Sequence, residues 1–323
     1  MSITIHNYDP SDAEEWDAFC KKSHQGTFLH SRRFLSYHGV RFKDRSVILK
    51  KDGVIVGLLP AAEKPDAPDT VVSHPGITYG GLLHAGKLMG DGAIQAFQSV
   101  LKHYYQQGYR RLIYKAVPRI YHQVPCDDDL YAMFRLCAQR VRCDLSSTIN
   151  IANRFQVSSR RKRSLIKAKK AGVTIECGTH LLQGLWEILK ENLKSKHNVE
   201  PVHSEAEITH LADLFPKNIH CVCAIIGGEI VAGVVNFETP TCLHAQYIAS
   251  SQKGYETSSL DVVFEFSISE AQKSNKNWFD FGISNEQNGR VLNSGLYRFK
   301  SEFGGGGTTN EFYEIELMSE NES

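Results

Sequence analysis

The chain has 323 residues, 41% of them hydrophobic and 10% aromatic, enough to bury a full core and, at this length, better suited to two domains than to one. Its 37 Lys and Arg against 36 Asp and Glu leave a formal net charge of +1, which excludes whole-protein electrostatics as a basis for nucleic-acid binding. Eight cysteines without a CxxC pair, a charged start MSITIHNYDPSDAEEW and no run of 18 apolar residues predict a reduced, cytoplasmic protein without a spanning helix, peripheral contact with the inner face of a membrane staying open.

In chain order, Asp9, Pro10, Ser11 and Asp12 favour a cap and a first turn, so a helix is predicted over 9–20, and a second over 32–38. RSVILKKDGVIVGLLPAA (45–62) reads as two strands joined at Asp52-Gly53, a tight-hairpin signal. After a loop at 65–68, HPGITYGGLL (74–83) predicts a strand whose glycines admit a close backbone approach. A helix over 93–107 ends at Gly108, and RRLIYKAVP is the next strand, closed by Pro118. A helix over 130–141, a strand over 145–151 and a basic helix over 156–171 follow, then a strand over 173–177.

The helix predicted over 181–196 places Leu182, Leu185, Leu189 and Leu193 on one face. Ser204 with Glu207 three residues on is a capping-box pattern for a helix over 204–214. CVCAIIGGEIVAGVVNF (221–237) is a second hairpin, joined at Gly227-Gly228. Beyond it come a strand over 244–249, a polar turn over 250–258, a helix over 259–272 and a strand over 278–283. Strand, turn, helix, strand is a crossover unit, and the helix start leaves N–H groups for an anionic or carbonyl-bearing ligand.

The two hairpins share glycines at Gly53 and Gly228, a branched apolar pair after them, and a glycine in the returning strand at Gly57 or Gly233. Each precedes a further strand with a Tyr, a helix and a closing strand, 112–116 or 278–283. Two copies of one topology about 170 residues apart point to duplication. The predicted fold class is α/β with mixed sheets, in an N-terminal domain over 1–152 (acceptor side or structural) and a C-terminal, catalytic domain over 153–323.

The tandem order, SHPGITYGGLL, the basic RRKRSLIKAKKAGVTIE, the loop KHNVEPVHSEAEITHLADLFP and the ending FGISNEQNGRVLNSGLYRFKSEFGGG resemble the Fem-type (FemAB/FemX-like) branch of the GNAT acyltransferase superfamily over nearly the whole chain. The resemblance implies two tandem GNAT-like domains, each a twisted mixed sheet flanked by helices. It also implies transfer of an acyl or aminoacyl group to an amine.

In GNAT-like proteins the donor lies where two adjacent strands splay, its phosphates on the turn that opens the next helix. Here that turn is SQKGYETSS, so Lys253, Gly254, Tyr255, Ser258 and Ser259 are the implied donor-binding residues, acyl-CoA being the expected donor substrate. A plain helix N-terminus with capping serines is the alternative. Relatives carry a lysine in a frame matching Phe299-Lys300 and Phe303, implicated in stabilising the tetrahedral oxyanion, a task that suits an ammonium in a desolvated cleft.

His244 titrates in the right range for proton transfer, with Asp280 across the same cleft; alternation puts His244 and Gln246 on one face and Tyr247 on the other. His197 and His203 are expected to rim the acceptor cleft, Arg290, Asn293 and Arg298 to orient an acceptor carboxylate or phosphate, and Tyr79, with His30, Arg33, His74 and Gly80, to wall a cleft in the first domain.

The expected activity is N-acyl transfer from an acyl thioester of acyl-CoA type to an amine of a small molecule, an amino sugar or a cell-envelope precursor. Two alternatives stay open: an aminoacyl-tRNA-dependent transferase acting on a peptidoglycan-like precursor, or a non-catalytic GNAT-like binding protein. The cations Arg160, Arg161, Lys162, Arg163, Lys167, Lys169 and Lys170 suit a phosphate backbone, but without interleaved aromatic residues they also suit a solvated helix face. The helical arm of tRNA-using relatives has no counterpart in the pattern, which ranks the thioester first. No metal is expected, because His220, Cys221 and Cys223 crowd one strand and no HExxH occurs.

Overall fold

A computed structural model describes residues 3–197 and 199–318. Strand β1 (Thr4–Asn7) precedes a reciprocal cap, in which the Ser11 N–H donates to Asp9 and the Asp9 N–H to Asp12; helix α1 (Ala13–Lys22) follows and buries Trp16 and Cys20. Helix α2 (Arg32–Leu35) runs on as a 3-10 turn to Arg41. Between β2 (Val47–Lys51) and β3 (Val54–Leu59), Asp52 and Gly53 have φ of 52° and 77°, as a two-residue hairpin with the strands' twist requires. Then come β4 (Ala62–Lys64), β5 (Ala67–Val72), β6 (Leu83–His84), α3 (Asp91–Gln106), β7 (Arg111–Lys115), α4 (Asp128–Arg135) and β8 (Gln139–Asn150).

Two expectations fail in this stretch. The strand predicted over 74–83 shrinks to the two residues of β6, because Gly80 packs edge-on against the backbone: a Cβ there would lie 1.9 Å from the Ser73 carbonyl oxygen. The helix predicted over 130–141 stops at Arg135; Cys137 turns to φ 56° and the chain enters β8 at Gln139.

Next are α5 (Ser159–Lys170), capped by Ser158, then β9 (Thr174–Cys177), α6 (Leu182–His197) and α7 (Glu205–Leu214), whose capping box joins Ser204 and Glu207. β10 (Ile219–Ile226) and β11 (Glu229–Glu238) turn at Gly227 and Gly228, with φ of 62° and 84°. β12 (Cys242–Ser250), α8 (Gln252–Thr257), α9 (Ser259–Lys273) and β13 (Trp278–Ile283) form the crossover. The short strands β14 (Asn285–Glu286) and β15 (Val291–Leu292), helix α10 (Ser294–Ser301) and strand β16 (Gly306–Glu316) complete the chain.

Packing divides the chain into two units, Met1–Asp144 with Glu286–Val291 and Thr309 onward, and Leu145–Asn285 with Leu292–Thr308. A single cut at 152/153 does not describe them, because the end of β16 pairs with β7 (Phe312↔Lys115 to Glu316↔Arg111) and Ile315 and Leu317 enter the first core.

Within the first unit β1, β2, β3 and β6 form an antiparallel sheet, while β5 pairs antiparallel with β4 and parallel with β7. Phe97, Val100 and Tyr104 of α3 bury against Leu112 and Tyr114 of β7. In the second unit β12 pairs antiparallel with β11 and parallel with β13, and β13 pairs antiparallel with β8. Phe264 and Ile268 of α9 bury against Phe279 and Phe281 of β13 and against Phe303. Both units thus repeat one order: antiparallel pair, helical crossover, parallel strand, antiparallel partner. The first unit's pair is β4–β5, not the hairpin β2–β3, which lies in the other sheet; the fold is α/β, of mixed sheets flanked by helices.

Candidate active site in the second unit

The parallel register of β12 and β13 runs only from Cys242↔Trp278 to His244↔Asp280. Directly beyond it each strand departs from regular geometry. On β12, Ala245 and Tyr247 face consecutive residues of β11, Asn236 and Val235, so Gln246 is an extra, bulged residue. On β13, Gly282 has φ 76°. The bulge resets the alternation: Leu243, Ala245 and Ile248 all reach the same core, which puts Tyr247 on the face of His244 rather than opposite it.

Ile248, beyond the last strand pair, lines a cavity of about 590 Å³ together with Leu189, Asn192 and Leu193 of α6, Asp261 and Phe264 of α9, Arg160 and Arg161 of α5, and Phe299 and Lys300 of α10. Lys300 sits on helix α10. Phe299 is on that helix and Phe303 in the turn just past its end, and Asn293 caps it by accepting from the Leu296 N–H at 3.0 Å.

Only 3% of Lys300 is exposed. Its Nζ donates to the carbonyls of Gly282 (2.9 Å) and Ile283 (2.7 Å), which hold it at the mouth of the splay. Burial lowers its pKa to about 8, with the charge of Asp280 acting the other way. An ammonium with two protons given to fixed carbonyls has its third available to a ligand oxygen.

Asp280 is 2% exposed and accepts from His244 Nδ1 at 2.7 Å, from Thr148 Oγ1 at 2.9 Å and from Ser146 Oγ. Burial pushes the carboxyl up, but these hydrogen bonds and the charge of His244 outweigh it and leave the pKa below the usual carboxylate value. The carboxylate holds a proton on His244 Nδ1 and so leaves Nε2 as the nitrogen placed for proton transfer. Gly282 separates the two candidates: its carbonyl takes the Lys300 proton, and a Cβ on it would stand 3.4 Å from His244 Cε1. Lys300, His244 and Asp280 thus lie around one backbone segment, at Gly282.

The predicted donor turn differs. Residues 252–257 form α8, so the expected open turn is a helical one, capped by Ser251 accepting from the Gly254 N–H at 3.2 Å. Lys253 points away into an exposed ion pair with Glu229 (2.8 Å). Gly254 is buried because a Cβ there would fall 2.2 Å from the Val231 carbonyl oxygen. Ser258 adopts φ 58° without a side-chain cap, and Ser259 is buried with its hydroxyl 2.7 Å from that of Thr257. Gly254, Tyr255 and Ser258 line the cavity.

Among the acceptor candidates, Tyr247 pairs its hydroxyl with His203 Nδ1 and meets Trp186 edge-on at 4.9 Å. His203 is buried, and its carbonyl accepts from Trp186 Nε1 at 3.1 Å. The side chain of His197 lies outside the described residues. Asn293 is spent on the cap, exposed Arg298 pairs with Glu302 at 3.3 Å, and exposed Arg290 belongs to the first unit. Tyr79, also in the first unit, is 2% exposed and stacks on Tyr121 at 4.4 Å, which makes it core rather than cleft wall.

One site feature escaped the sequence reading. Arg161 turns inward from the basic run, donates to Asp261 at 2.7 Å and to Glu302 at 3.2 Å, and lies over the Phe299 ring at 4.7 Å. It ties α5, α9 and α10 together around the cavity.

Residues 152–301 match the family model described as an acetyltransferase (GNAT) domain. The chain carries a GNAT domain. The GNAT superfamily transfers acyl groups, and the protein is an acyltransferase of that type. FemX shares the fold at a TM-score of 0.68 and 11% identity, with 97% of each chain covered. L-PGS from Bacillus licheniformis follows at 0.62 and 15%, with 95% of this chain and 91% of that one covered. The C-terminal domain of a putative lysylphosphatidylglycerol synthetase from Agrobacterium fabrum gives 0.60 and 10%, covering 96% and 93%. No curated protein matches significantly. The splay and the bulge therefore lie in the GNAT domain, and no helix among the described residues is long and apolar enough to cross a membrane.

Proposed function

We propose that the GNAT domain transfers an aminoacyl group from an ester on a polyanionic carrier, of the aminoacyl-tRNA kind, to the amine of a small molecule, sugar or peptide acceptor such as a cell-envelope precursor. The observation that carries acyl transfer at this site is the burial of Lys300 where β12 and β13 part. Its ammonium stabilises the oxyanion as the amine attacks the donor carbonyl. His244, oriented by Asp280, accepts the proton of the attacking nitrogen, and the carrier oxygen leaves with a proton.

Two observations support the carrier. Helix α8 fills the turn on which a nucleotide pyrophosphate would rest, with Lys253 engaged elsewhere. Arg160 lines the cavity, and exposed Arg163, Lys167 and Lys170 continue from it along the same face of α5, as a phosphate backbone would need, while Lys162 and Lys169 lie on the opposite face. The likeness to FemX and L-PGS agrees with this reading at the level of fold.

A second reading, transfer from acyl-CoA, is favoured by the description of the matching family model as an acetyltransferase. The test offers purified protein a charged tRNA pool and, separately, a panel of acyl-CoAs, each with amino sugars, lipid-linked sugars and peptide amines, and reads products by mass spectrometry. A product from charged tRNA that Lys300→Met abolishes is expected. A product from acyl-CoA alone selects the second reading, and no acylated amine from either donor sinks both.

A further inference from the structure

In the first unit three segments are laced together by backbone bonds: the His24 N–H donates to the His84 carbonyl at 2.8 Å, and the Gln123 N–H to the His24 carbonyl at 2.9 Å. This lacing gathers His24, His84 and Cys126 so that one ligand atom from each lies within 4.8 Å of the others. His84 and Cys126 are buried, and His24 is half-buried and gives access from solvent. His84 Nε2 stands 3.0 Å from Cys126 Sγ, and the Gln25 amide donates to the same sulfur at 2.8 Å. Cys126 is followed by Asp127, Asp128 and Asp129, an acidic run that favours a cation nearby.

We propose that His24, His84 and Cys126 form a binding site for a zinc-class cation, with the fourth position open to water or a ligand. Two imidazoles and one thiolate are the donor set of zinc, cobalt(II) or copper(I), and not of magnesium or calcium. Ligand atoms on a shared cation of this size stand roughly 3.3–3.8 Å apart, given bonds of about 2.0–2.3 Å, so the cluster closes on the ion with side-chain shifts of about 1 Å. Gln25 supplies the outer hydrogen bond to the sulfur.

The proton balance is definite. The Gly86 N–H donates to His84 Nδ1 at 3.1 Å, which places the ring proton on Nε2, facing the sulfur. Cation binding through Nε2 moves that proton to Nδ1, and Cys126 releases its thiol proton to solvent. A proton on Nδ1 needs an acceptor; turning the Ala85–Gly86 peptide over presents the Ala85 carbonyl in place of the Gly86 N–H. Gly86, at φ 81°, is a residue whose backbone accepts either sign of φ.

The test strips the full chain with chelator and titrates it with cobalt(II), then with zinc(II) in competition with a chromophoric chelator. Expected are one equivalent bound, a thiolate-to-cobalt charge-transfer band in the near ultraviolet, and visible bands of a four-coordinate ion. Cys126→Ser should remove the charge-transfer band, and both it and His24→Gln should weaken zinc by at least the roughly 10- to 100-fold that loss of an outer-shell partner costs. His24→Gln, at a half-buried position, keeps the question open to test if the buried cysteine variant fails to fold. No zinc taken from the chelator, or the same affinity in wild type and variants, overturns the proposal.

Discussion

Replacing Lys300 with Met keeps the length and the apolar stem and removes the charge. Burial brings the Lys300 amine from an ordinary 10.5 down to about 8, so holding its proton costs the folded chain roughly 3 kcal/mol at neutral pH. Against this, the variant leaves the Gly282 and Ile283 carbonyls without the ammonium, a loss of about 1–3 kcal/mol each when buried. The two effects nearly cancel, and the denaturation midpoint should move little. Catalysis has no such compensation: loss of one donor aimed at the oxyanion costs about 10²–10³ in kcat, or roughly 3–4 kcal/mol.

The pH dependence follows from the direction of the shift. Below about 8 the amine is protonated in both folded and unfolded chains, and the burial cost is carried in full; between about 8 and 10.5 it is relieved, so wild-type stability gains a rising contribution that Lys300→Met lacks. With Lys300 in the proposed oxyanion role, turnover should run the other way and fall as pH rises through about 8, as the charged form is lost. Single-turnover rates across pH, beside chemical denaturation of both proteins, measure both trends. Unchanged turnover in the variant, or a wild-type rate that climbs through pH 8, would refute the assigned role.

Asp280→Asn should lower kcat far more than KM, by unfixing the His244 tautomer, and should remove a stabilisation that wild type holds above the ordinary carboxylate value of 3.8 and loses as pH falls through its lowered one; acid unfolding curves read the second effect. Arg161→Ala strands Asp261 in a site where both side chains are nearly buried and should cost about 3–5 kcal/mol in urea denaturation, with Arg161→Lys recovering only part; equal stability of all three proteins would count against the tie. Gly282→Ala, at φ 76° and beside His244, should reduce turnover and cost about 1 kcal/mol or more, and a fully active variant would show that the Gly282 backbone does not set the site. Lys253→Ala should leave donor KM unchanged, since this lysine serves an exposed ion pair; a tenfold rise would restore it to the donor site.

What the sequence made legible is what depends on neighbours in the chain. Asp52-Gly53, Gly227-Gly228 and the Ser204 capping box act over two to four residues and placed their elements correctly. Local reading failed where distant atoms decide. Gly80 is out of a strand because the Ser73 carbonyl lies against it, and the turn after Ser250 is helical because the Val231 carbonyl accepts from the Ser251 N–H at 2.9 Å and packs on Gly254.

Lys300, His244 and Asp280 were named as candidates from the resemblance and the strand order. The groups that hold Asp280 were not: Ser146 is 134 residues away in sequence and Thr148 is 132. Arg161 looked like one more member of a solvated row, and its inward turn depends on Asp261, 100 residues on. The face of Tyr247 was misread because a single bulged residue, Gln246, carries no signature of its own.

The partner of β7 is the last strand of the chain, and this sets an order on biosynthesis. Residues 1–144 leave the ribosome before Phe312 to Glu316 exist, so the first unit cannot complete its sheet at β7 until the intervening GNAT domain has been made. Until then the edge of β7 that takes Phe312 to Glu316 lacks that partner, and early pairing elsewhere would compete with it.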